Sequence, residues 1–368
     1  EEIGPTDVIF HLAAVVSDWG AQQTHVDITV KGTELAIELA LKHDAHFVVT
    51  TSVCAYASSL AKGALTEDSP IGTPASPYEF CKQEQERVTK SAVKTKHLKA
   101  TIIRPANVFG VGSGPWVNGI LDNMRKNKPC LLGSGRWDAG LVHVNNVVAM
   151  LIAAARSDST QGEIFNAADG FGVTWETYTR RLAQAASAPA PKSIPNLLAK
   201  CLAPTLEKIG HLLKQKERPL ITRAAFRLLG GPNEFSILKA REKLGYKPVV
   251  NFEEAMEELT EHFKQTGTSP IPENPTESDQ KPWVWVTGSA SGLGRYVTGQ
   301  LLQRGYSVLA TDLRDDQLQQ IADSDGWPTH QVQLAKLDIT DRDNWQSLFD
   351  DTQQQGLNFS HLLNIAGF

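Results

Sequence analysis

An alternation of short apolar strands with helical segments, which occurs twice along the chain, is the pattern that most constrains the fold. The first series begins with an apolar run over 7–14 and continues with a helical pattern over 25–43 and a strand over 46–52. A helix over 75–94 and a strand over 100–104 follow. Strands that alternate with helices form right-handed crossovers, so this pattern predicts a doubly wound parallel sheet with helices on both faces.

A polar segment with four prolines separates the two series. Residues 266–282 contain almost no apolar side chains, which is typical of a linker between domains. The alternation then resumes with strands over 283–286, 307–311, 332–337 and 361–363 and a helix over 292–304. We therefore expect an α/β protein with two partial Rossmann-type units, residues 1–268 and 283–368, joined by a linker over 269–282.

Residues from about 170 to 268 differ from both series. Helical patterns and prolines dominate from 185 to 265, and an amphipathic helix is predicted around 252–263. We expect a small helix-rich lobe at the C-terminal end of the first unit. Leucines and lysines are interspersed over 195–216, and packing of the leucine face into the core of the lobe is the favoured interpretation. The alternatives are a lid over a hydrophobic substrate or peripheral contact with a membrane surface.

The composition excludes several other classes of protein. A length of 368 residues fits two or more domains, and the net charge of -5 argues against a general nucleic-acid binder. The four cysteines lack metal-binding spacing, so we expect neither a zinc site nor a disulfide framework, and a reducing cytoplasm is the expected compartment. The chain begins at Glu1 and ends at Phe368 within a predicted strand-to-helix turn, which suggests a piece of a longer protein.

A glycine-rich loop directly follows the first strand of the second series and begins a helix. Glycines in this position let backbone N–H groups approach a pyrophosphate, and the helix N-terminus stabilises its negative charge. The candidate cofactor-binding residues of the loop are Gly288, Ser289, Ser291, Gly292, Leu293 and Gly294. Asp312, at the end of the next strand, can accept hydrogen bonds from an adenosine ribose, which favours NAD over NADP. The alternative is a glycine turn followed by a surface aspartate.

Tyr78 and Lys82 stand four residues apart at the start of a predicted helix and therefore share one of its faces. A tyrosine has a pKa near ~10, and an adjacent ammonium together with a positively charged nicotinamide can lower it enough for acid–base catalysis. The spacing alone is common, but here it follows the strand that ends at Ser52 by one strand–helix unit. The alternative is a buried tyrosine with a solvated lysine.

The loop pattern TGxxxGxG resembles the nucleotide loop of the single-domain branch of the short-chain dehydrogenase/reductase family. Two later segments are also similar to that branch, although Ile365 replaces the usual second asparagine of the last one. The resemblance implies further cofactor contacts by Asp338, Asn364, Ala366 and Gly367. The serine and the Tyr/Lys pair of that branch would lie beyond Phe368, so the resemblance implies dinucleotide binding without catalysis in the second unit.

Residues 7 to about 263 resemble the extended branch of the same family, which includes nucleotide-sugar epimerases and dehydratases and 3β-hydroxysteroid dehydrogenase-like enzymes. The resemblance implies that Tyr78 exchanges the hydroxyl proton, that Lys82 lowers the pKa of Tyr78 and holds the cofactor ribose, and that Ser52 orients the substrate oxygen. It also implies cofactor contacts by Ala13, Ala14, Pro105, Asn107 and Val108. The glycine loop of the extended branch would lie upstream of Glu1.

Two positions depart from the extended branch. Thr29 stands where an asparagine is usual, and residues 145–146 are Asn-Asn where Asp-Asp is expected. Segments 17–20 and 232–248 resemble the steroid dehydrogenase-like subgroup. The resemblance thus favours an NAD(P)-dependent oxidoreductase that acts on a secondary alcohol or ketone of a hydrophobic, steroid-like small molecule. The alternatives are a nucleotide-sugar epimerase or dehydratase, and a non-catalytic NAD-binding protein.

Two points of architecture stay open in the sequence. Family members usually dimerise through the helices predicted over 25–43 and 75–94, which implies a homodimer. Residues 282–368 followed by 1–268 nearly spell one complete dehydrogenase, so a circular permutation is an alternative to a fusion of two units. The strands over 361–367 and 7–14 are the same element twice, which disfavours permutation; both copies in one continuous sheet would favour it.

Overall fold

The computed structural model describes residues 6–157, 160–213, 215, 218–219, 221–266, 283–290, 292–339, 341–355, 357 and 359–363. The chain divides into two compact units, Glu1–Thr268 and Ser269–Phe368.

Ten described strands belong to the first unit. They are β1 (Val8–His11), β2 (His46–Thr50), β3 (Gly63–Leu65), β4 (Ala100–Pro105), β5 (Asn107–Phe109), β6 (Pro129–Leu132), β7 (Leu141–His143), β8 (Ile164–Ala167), β9 (Lys192–Ile194) and β10 (Asn233–Phe235). The main sheet has the order β1-β2-β4-β8, and all of its pairs are parallel. Two-stranded sheets pair β3 with β10, β5 with β7 and β6 with β9.

The helices of the first unit cover both faces of this sheet and form most of the lobe. They are α1 (Gln22–His25), α2 (Lys31–His43), α3 (Pro77–Lys96), α4 (Gly119–Arg125), α5 (Val144–Ala155), α6 (Trp175–Ala185), α7 (Asn196–Leu212), α8 (Arg223–Leu229), α9 (Leu238–Leu244) and α10 (Phe252–Thr266). A π-helical turn, Val26–Val30, joins α1 to α2, and a 3₁₀ helix, Val53–Ser59, follows β2.

The sheet is buried because apolar side chains on its two faces pack against different helices. Val48, Ile103 and Phe165 belong to the core on one face, where α5 contacts the sheet. Phe47 and Val49 belong to the core on the other face, where α2 and α3 lie. Burial on both faces explains the continuous apolar runs in the sequence. The lobe has its own core, which includes aromatic side chains of α6 and aliphatic side chains of α10.

The second unit contains a smaller parallel sheet. Its described elements are β11 (Trp283–Thr287), α11 (Gly292–Gln303), β12 (Val308–Asp312), α12 (Asp315–Ser324), β13 (Val332–Lys336), α13 (Arg342–Gln354) and β14 (Phe359–Leu363). The strand order is β13-β12-β11-β14, with parallel pairing throughout.

The α/β class and the Rossmann-type parallel sheets predicted from the sequence are confirmed. Several details differ. The first strand ends at His11, so Ala13 and Ala14 follow the strand instead of belonging to it. The pattern did not reveal α12 and α13, and β9 and β10 lie within the segment predicted to be helix-rich. Short strands of this kind carry too few residues for a clear apolar period. No helix of the described residues is long and apolar enough to cross a membrane.

Candidate functional site

The three candidate catalytic side chains of the first unit lie at one edge of its main sheet. Ser52 directly follows β2, and Tyr78 and Lys82 lie in the first turns of α3. The start of α3 is fixed by Ser76, whose hydroxyl accepts the backbone N–H of Glu79, and by a proline at the first helical position. The carboxyl ends of parallel strands share one edge of the sheet. The first turns of α3 lie beside the end of β2 at this edge, where Lys82 contacts Thr50.

This edge of the sheet opens into a cavity of about 930 Å³ within the first unit. Ser52, Tyr78 and Lys82 all line it. Ala14, Pro105, Asn107 and Val108, which the sequence assigned to the cofactor, line it as well, whereas Ala13 is exposed and is not among the lining residues. Asn107 uses its side-chain amide to donate a hydrogen bond of 2.6 Å to the carbonyl of Ala139, so it also holds the wall of the cavity.

Lys82 is buried beside Tyr78. Its side chain is 3% exposed, and its Nζ atom lies 5.6 Å from the centre of the Tyr78 ring. The ammonium donates hydrogen bonds to the side-chain oxygen of Gln85 at 2.8 Å and to the carbonyl of Thr50 at 3.2 Å. An ammonium has three N–H donors, so these two bonds leave one for a further acceptor.

Burial is the largest influence on the pKa values of Tyr78 and Lys82. Removal from water raises the pKa of Tyr78 well above its ordinary value, and a hydrogen bond with the Ser52 side chain opposes this change. Burial lowers the pKa of Lys82 to about 8. The residues of the first unit therefore keep Tyr78 protonated near neutral pH. A phenolate here requires an additional positive charge, such as that of an oxidised nicotinamide. The site thus fits the cofactor that the sequence implied.

The far walls of the cavity are largely apolar. They come from the lobe, from β6 and from the segment that follows β5, and they include Leu131, Leu132, Ile194, Leu202, Leu206, Ile221, Leu228, Leu229, Pro115, Trp116 and Trp175. Among the described residues, the charged ones that line the cavity are Asp18, Glu79, Lys82 and Arg218. Arg218 is paired with Asp18, and Glu79 is 1% exposed and lies 3.5 Å from Arg227.

Asp18 and Trp19, in the loop after β1, form hydrogen bonds with residues of the lobe. The sequence analysis did not predict these contacts. One Asp18 oxygen pairs with the Nε atom of Arg218, and the other accepts hydrogen bonds from Arg218 Nη2 at 3.0 Å and from Thr222 at 2.5 Å. The indole N–H of Trp19 donates to the carbonyl of Gln215 at 3.0 Å. The loop after β1 therefore connects the sheet edge to the segment that roofs the cavity. The sequence signal was the likeness of residues 17–20 to the steroid dehydrogenase-like subgroup, which named no partner.

A buried ion pair under the site was also missed. Arg104 donates two hydrogen bonds of 2.7 Å to the carboxylate of Glu86, and both residues are almost fully buried. The hydroxyl of Thr51 donates to the same carboxylate at 3.1 Å, and the guanidinium lies 4.7 Å from the centre of the Tyr56 ring. The pair joins α3 to β4 and so supports the helix that carries Tyr78 and Lys82.

Two glycines of the loop in the second unit stand at positions where a side chain would be strained or would clash. Gly288 has a φ of +71°, a conformation that favours glycine. A Cβ atom on Gly294 would lie 2.0 Å from the carbonyl oxygen of Gly288, so this position accepts no side chain. Ser289 is buried, and its hydroxyl donates to the carbonyl of Val286 at 3.0 Å. Its side chain is therefore part of the core and leaves the loop backbone to contact a ligand.

Asp312 holds this loop from the end of β12. One of its oxygens accepts the backbone N–H of Ala290 at 2.9 Å, and the other accepts the N–H of Arg314 at 3.1 Å. Asp312 is 6% exposed, so in this structure its carboxylate braces the loop. The backbone N–H of Asp338 donates to the side chain of Asn344 at 2.7 Å.

The structure describes the other cofactor-binding candidates of the second unit only in part or not at all. Helix α11 begins at Gly292, and the placement of the Leu293 side chain is not described. Ser291, Asn364, Ala366 and Gly367 lie outside the described residues.

Comparison with known families matches the two units separately. Residues 2–168 match the NAD dependent epimerase/dehydratase family, and residues 282–368 match the short chain dehydrogenase family. The catalytic candidates of the first unit lie in the first match, and the glycine loop lies in the second.

Curated relatives of the chain include both dehydrogenases and reductases. The chain is 26% identical over 272 residues to a 3beta-hydroxysteroid-dehydrogenase/decarboxylase (isoform 1) of Arabidopsis thaliana, covering 70% of the chain and 62% of that protein. It is 25% identical over 268 residues to a 2-alkyl-3-oxoalkanoate reductase of Shewanella oneidensis, covering 69% of each. The match thus spans less than two thirds of the Arabidopsis protein.

Solved structures share the fold at lower identity. A UDP-glucose 4-epimerase of Thermotoga maritima, solved with UDP-glucose, superposes with a TM-score of 0.55 at 22% identity, covering 71% of the chain and 78% of that structure. At this identity the likeness concerns the fold alone. The family matches themselves identify an epimerase/dehydratase-type segment over residues 2–168 and a short chain dehydrogenase segment over residues 282–368, as the resemblance to the short-chain dehydrogenase/reductase family implied.

Proposed function

We propose that the first unit is the catalytic part of an NAD-dependent oxidoreductase that interconverts a secondary alcohol and a ketone on a hydrophobic substrate. The observation that carries the proposal is the cavity of about 930 Å³ in which Ser52, Tyr78 and Lys82 lie at the sheet edge beneath apolar lobe residues. The curated relatives support it, because their names describe steroid and 2-alkyl-3-oxoalkanoate substrates.

The chain's own residues divide the work of the reaction. A bound nicotinamide would supply or accept the hydride at the substrate carbon. Tyr78 donates a proton to the carbonyl oxygen during reduction and removes it during oxidation, since its phenol is the acid at this edge. Ser52 orients the same oxygen through its hydroxyl. Lys82 stabilises the phenolate by its positive charge, and its third N–H donor is available to a ribose hydroxyl of the cofactor.

The charges of the cavity favour this function over that of a nucleotide-sugar epimerase or dehydratase. A nucleotide diphosphate needs cationic partners to replace its lost hydration. Among the described residues that line the cavity, the cations are Lys82, next to Tyr78, and Arg218, which Asp18 neutralises. Apart from Arg218, the described lobe residues along the cavity are uncharged and mostly apolar, so a steroid-like or alkyl ketone fits this lining better.

Hydride transfer tests the proposal directly. The full chain is incubated with NADH deuterated at C4 and with a ketosteroid, a 2-alkyl-3-oxoalkanoate or UDP-glucose, and deuterium is measured in the product. We expect transfer to a hydrophobic ketone, and Tyr78→Phe should reduce it by about 10²–10⁴-fold. Tyr296→Phe, at an exposed tyrosine of the second unit, is the matched control.

A binding measurement separates substrate recognition from chemistry. Trp116 and Trp175 line the cavity, so a bound ketone should change their fluorescence. Binding of UDP-glucose but of no hydrophobic ketone would favour the epimerase alternative. NAD binding without any hydride transfer to any substrate would favour a non-catalytic nucleotide-binding protein.

The second unit is proposed as a dinucleotide-binding segment. Gly288 and Gly294 form a turn that a Cβ atom would block, and the N-terminus of α11 faces the same loop. Because Asp312 already accepts the N–H of Ala290, we propose that it contributes mainly by fixing the loop, and that its negative charge selects NAD over NADP.

We also propose that α7 contacts an anionic membrane surface. Leu197, Leu198, Ile209 and Leu212 on this helix are 45% or more exposed, and Lys200 and Lys208 lie on the same helix. Leu202 and Leu206 of the same helix line the cavity, so a membrane-dissolved substrate could enter beside it. Cosedimentation with phosphatidylserine vesicles tests this proposal, and Leu212→Glu should weaken the binding to the vesicles.

We also propose a homodimer formed through α2 and α3, which analytical ultracentrifugation can test.

A further inference from the structure

The Lys82 ammonium ends a buried chain of side-chain hydrogen bonds that crosses from α3 to α2 and β1. Gln85 accepts from Lys82 with its oxygen at 2.8 Å and donates from its nitrogen to the hydroxyl of Thr33 at 2.8 Å. The Nε2 atom of His11 lies 3.0 Å from the same hydroxyl. All four side chains are at most 8% exposed.

The hydrogen-bonding chemistry of the partners favours one direction for each bond in this chain. The Thr33 hydroxyl donates its one proton to the carbonyl of Thr29 at 2.7 Å, so it can only accept from its other partners. We therefore infer that His11 carries its proton on Nε2 and that Gln85 turns its N–H₂ group toward Thr33. The amide oxygen of Gln85 then faces Lys82. A flipped amide would place N–H donors against an ammonium and is excluded by electrostatics.

We propose that Gln85, anchored by Thr33 and His11, is a positioning residue that fixes the Nζ atom of Lys82 beside Tyr78, and that the same chain fixes His11 as its Nε2–H tautomer. The functional meaning rests on the role proposed for Lys82 in hydride transfer. Thr29, which replaces the asparagine usual in the extended branch, takes part through its main-chain carbonyl. An amide does not readily pass protons along, so the network orients the ammonium and does not conduct protons to it.

A neutral amide at position 85 also preserves the low pKa of Lys82. Burial lowers this pKa to about 8, whereas a carboxylate at the same distance would raise it. The titratable groups that act on Lys82 are His11 on β1, Cys54 in the 3₁₀ helix after β2, and Cys81 and Glu86 on α3. Glu86 is already paired with Arg104, so the amide keeps a second carboxylate away from Nζ.

The pKa of Lys82 tests the proposal without requiring turnover. It is measured in the full chain by NMR from the pH dependence of the ¹³Cε shift of labelled lysine, with Lys82→Arg as the assignment control. Gln85→Glu should raise the pKa by one unit or more, which is a tenfold or larger change in acid dissociation. Ser91→Glu adds the same charge at an exposed position of α3 and should shift it by less than about 0.3 unit.

Neutral variants keep the proposal testable if Gln85→Glu does not fold. Gln85→Met removes the acceptor of the ammonium, so the pKa of Lys82 should fall further. In the active protein kcat should fall about tenfold with an unchanged KM for the ketone, since one charge-assisted hydrogen bond is lost. Thr33→Val should release His11 from the Nε2–H tautomer, as read from its ¹⁵N shifts.

Two results would overturn the proposal: equal pKa shifts for Gln85→Glu and Ser91→Glu, or an Nδ1–H tautomer of His11 in the unmodified chain. A chain that shows the expected NMR behaviour but no hydride transfer would reject the proposed function and leave the positioning network intact.

Discussion

The Nζ atom of Lys82 lies 5.6 Å from the centre of the Tyr78 ring and is held there by Gln85 and the carbonyl of Thr50. The ammonium is thus in place before any ligand binds, at the cost of burying a charge. Burial also raises the pKa of Tyr78. The candidate site therefore combines the Tyr78 phenol, which keeps its proton, with the Lys82 ammonium, which loses its proton more readily than an exposed lysine. A charged cofactor bound nearby should change the pKa of both groups.

Lys82→Met should stabilise the chain near neutral pH. Because the folded-state pKa of Lys82 is lowered from 10.5 to about 8, its contribution to stability is present above pH 10.5 and is lost as the pH falls through 8. We expect the variant to gain about 1–3 kcal/mol in free energy of unfolding at pH 6–7, and less at pH 10.

Urea unfolding of the Lys82→Met variant at several pH values measures this gain. Lys94→Met, at an exposed position of the same helix, is the control and should change stability little at any pH. A loss of stability on replacing Lys82 at pH 6 would show that its hydrogen bonds outweigh its desolvation.

Breaking the buried pair of Glu86 and Arg104 should be costly. Glu86→Leu leaves a guanidinium uncompensated in the core and should lower the free energy of unfolding by about 3–5 kcal/mol. Adding Arg104→Met should restore much of this loss, since the unpaired charge is then gone. Glu84→Gln, whose partner Arg87 is solvent-exposed, should change stability by less than about 1 kcal/mol in the same urea titration.

Gly294→Ala should distort the loop of the second unit. The new Cβ atom would meet the carbonyl oxygen of Gly288 at 2.0 Å, so the backbone must shift. We expect a loss of about 1–3 kcal/mol or more in stability and weaker NAD binding by calorimetry. Gly299→Ala lies on the same helix, and its Cβ atom would have a nearest neighbour at 3.9 Å. This control should be neutral or slightly stabilising, and equal NAD binding by both variants would contradict the role of the loop.

Asp18→Asn should loosen the roof of the cavity. The variant loses the charge that holds Arg218 and weakens the bond from Thr222. We expect a hydrophobic ketone to dissociate about two to five times faster, because a partly exposed ion pair contributes about 0.5–1 kcal/mol. Stopped-flow tryptophan fluorescence measures the rate. Asp27→Asn removes an exposed pair with Lys31 on the helical run after β1 and should leave the rate unchanged.

The order of elements and the candidate trio could be predicted from the sequence because they depend on local patterns. Apolar runs identify buried parallel strands, glycines identify turns, and the spacing of Tyr78 and Lys82 identifies a shared helix face. The helices α12 and α13 were not predicted, because their sequences are mostly polar and bury few side chains.

The amino-acid sequence by itself determined the α/β class and the chemical types of residue available for catalysis, since these follow from periodicity and motif spacing. Only the tertiary structure decided which distant residues meet. The pairing of Glu86 with Arg104, the clasp of Asp18 on Arg218 and the chain from Lys82 to His11 join residues 18, 200 and 71 positions apart. Such contacts depend on how strands, helices and lobe pack, and no local pattern encodes that packing.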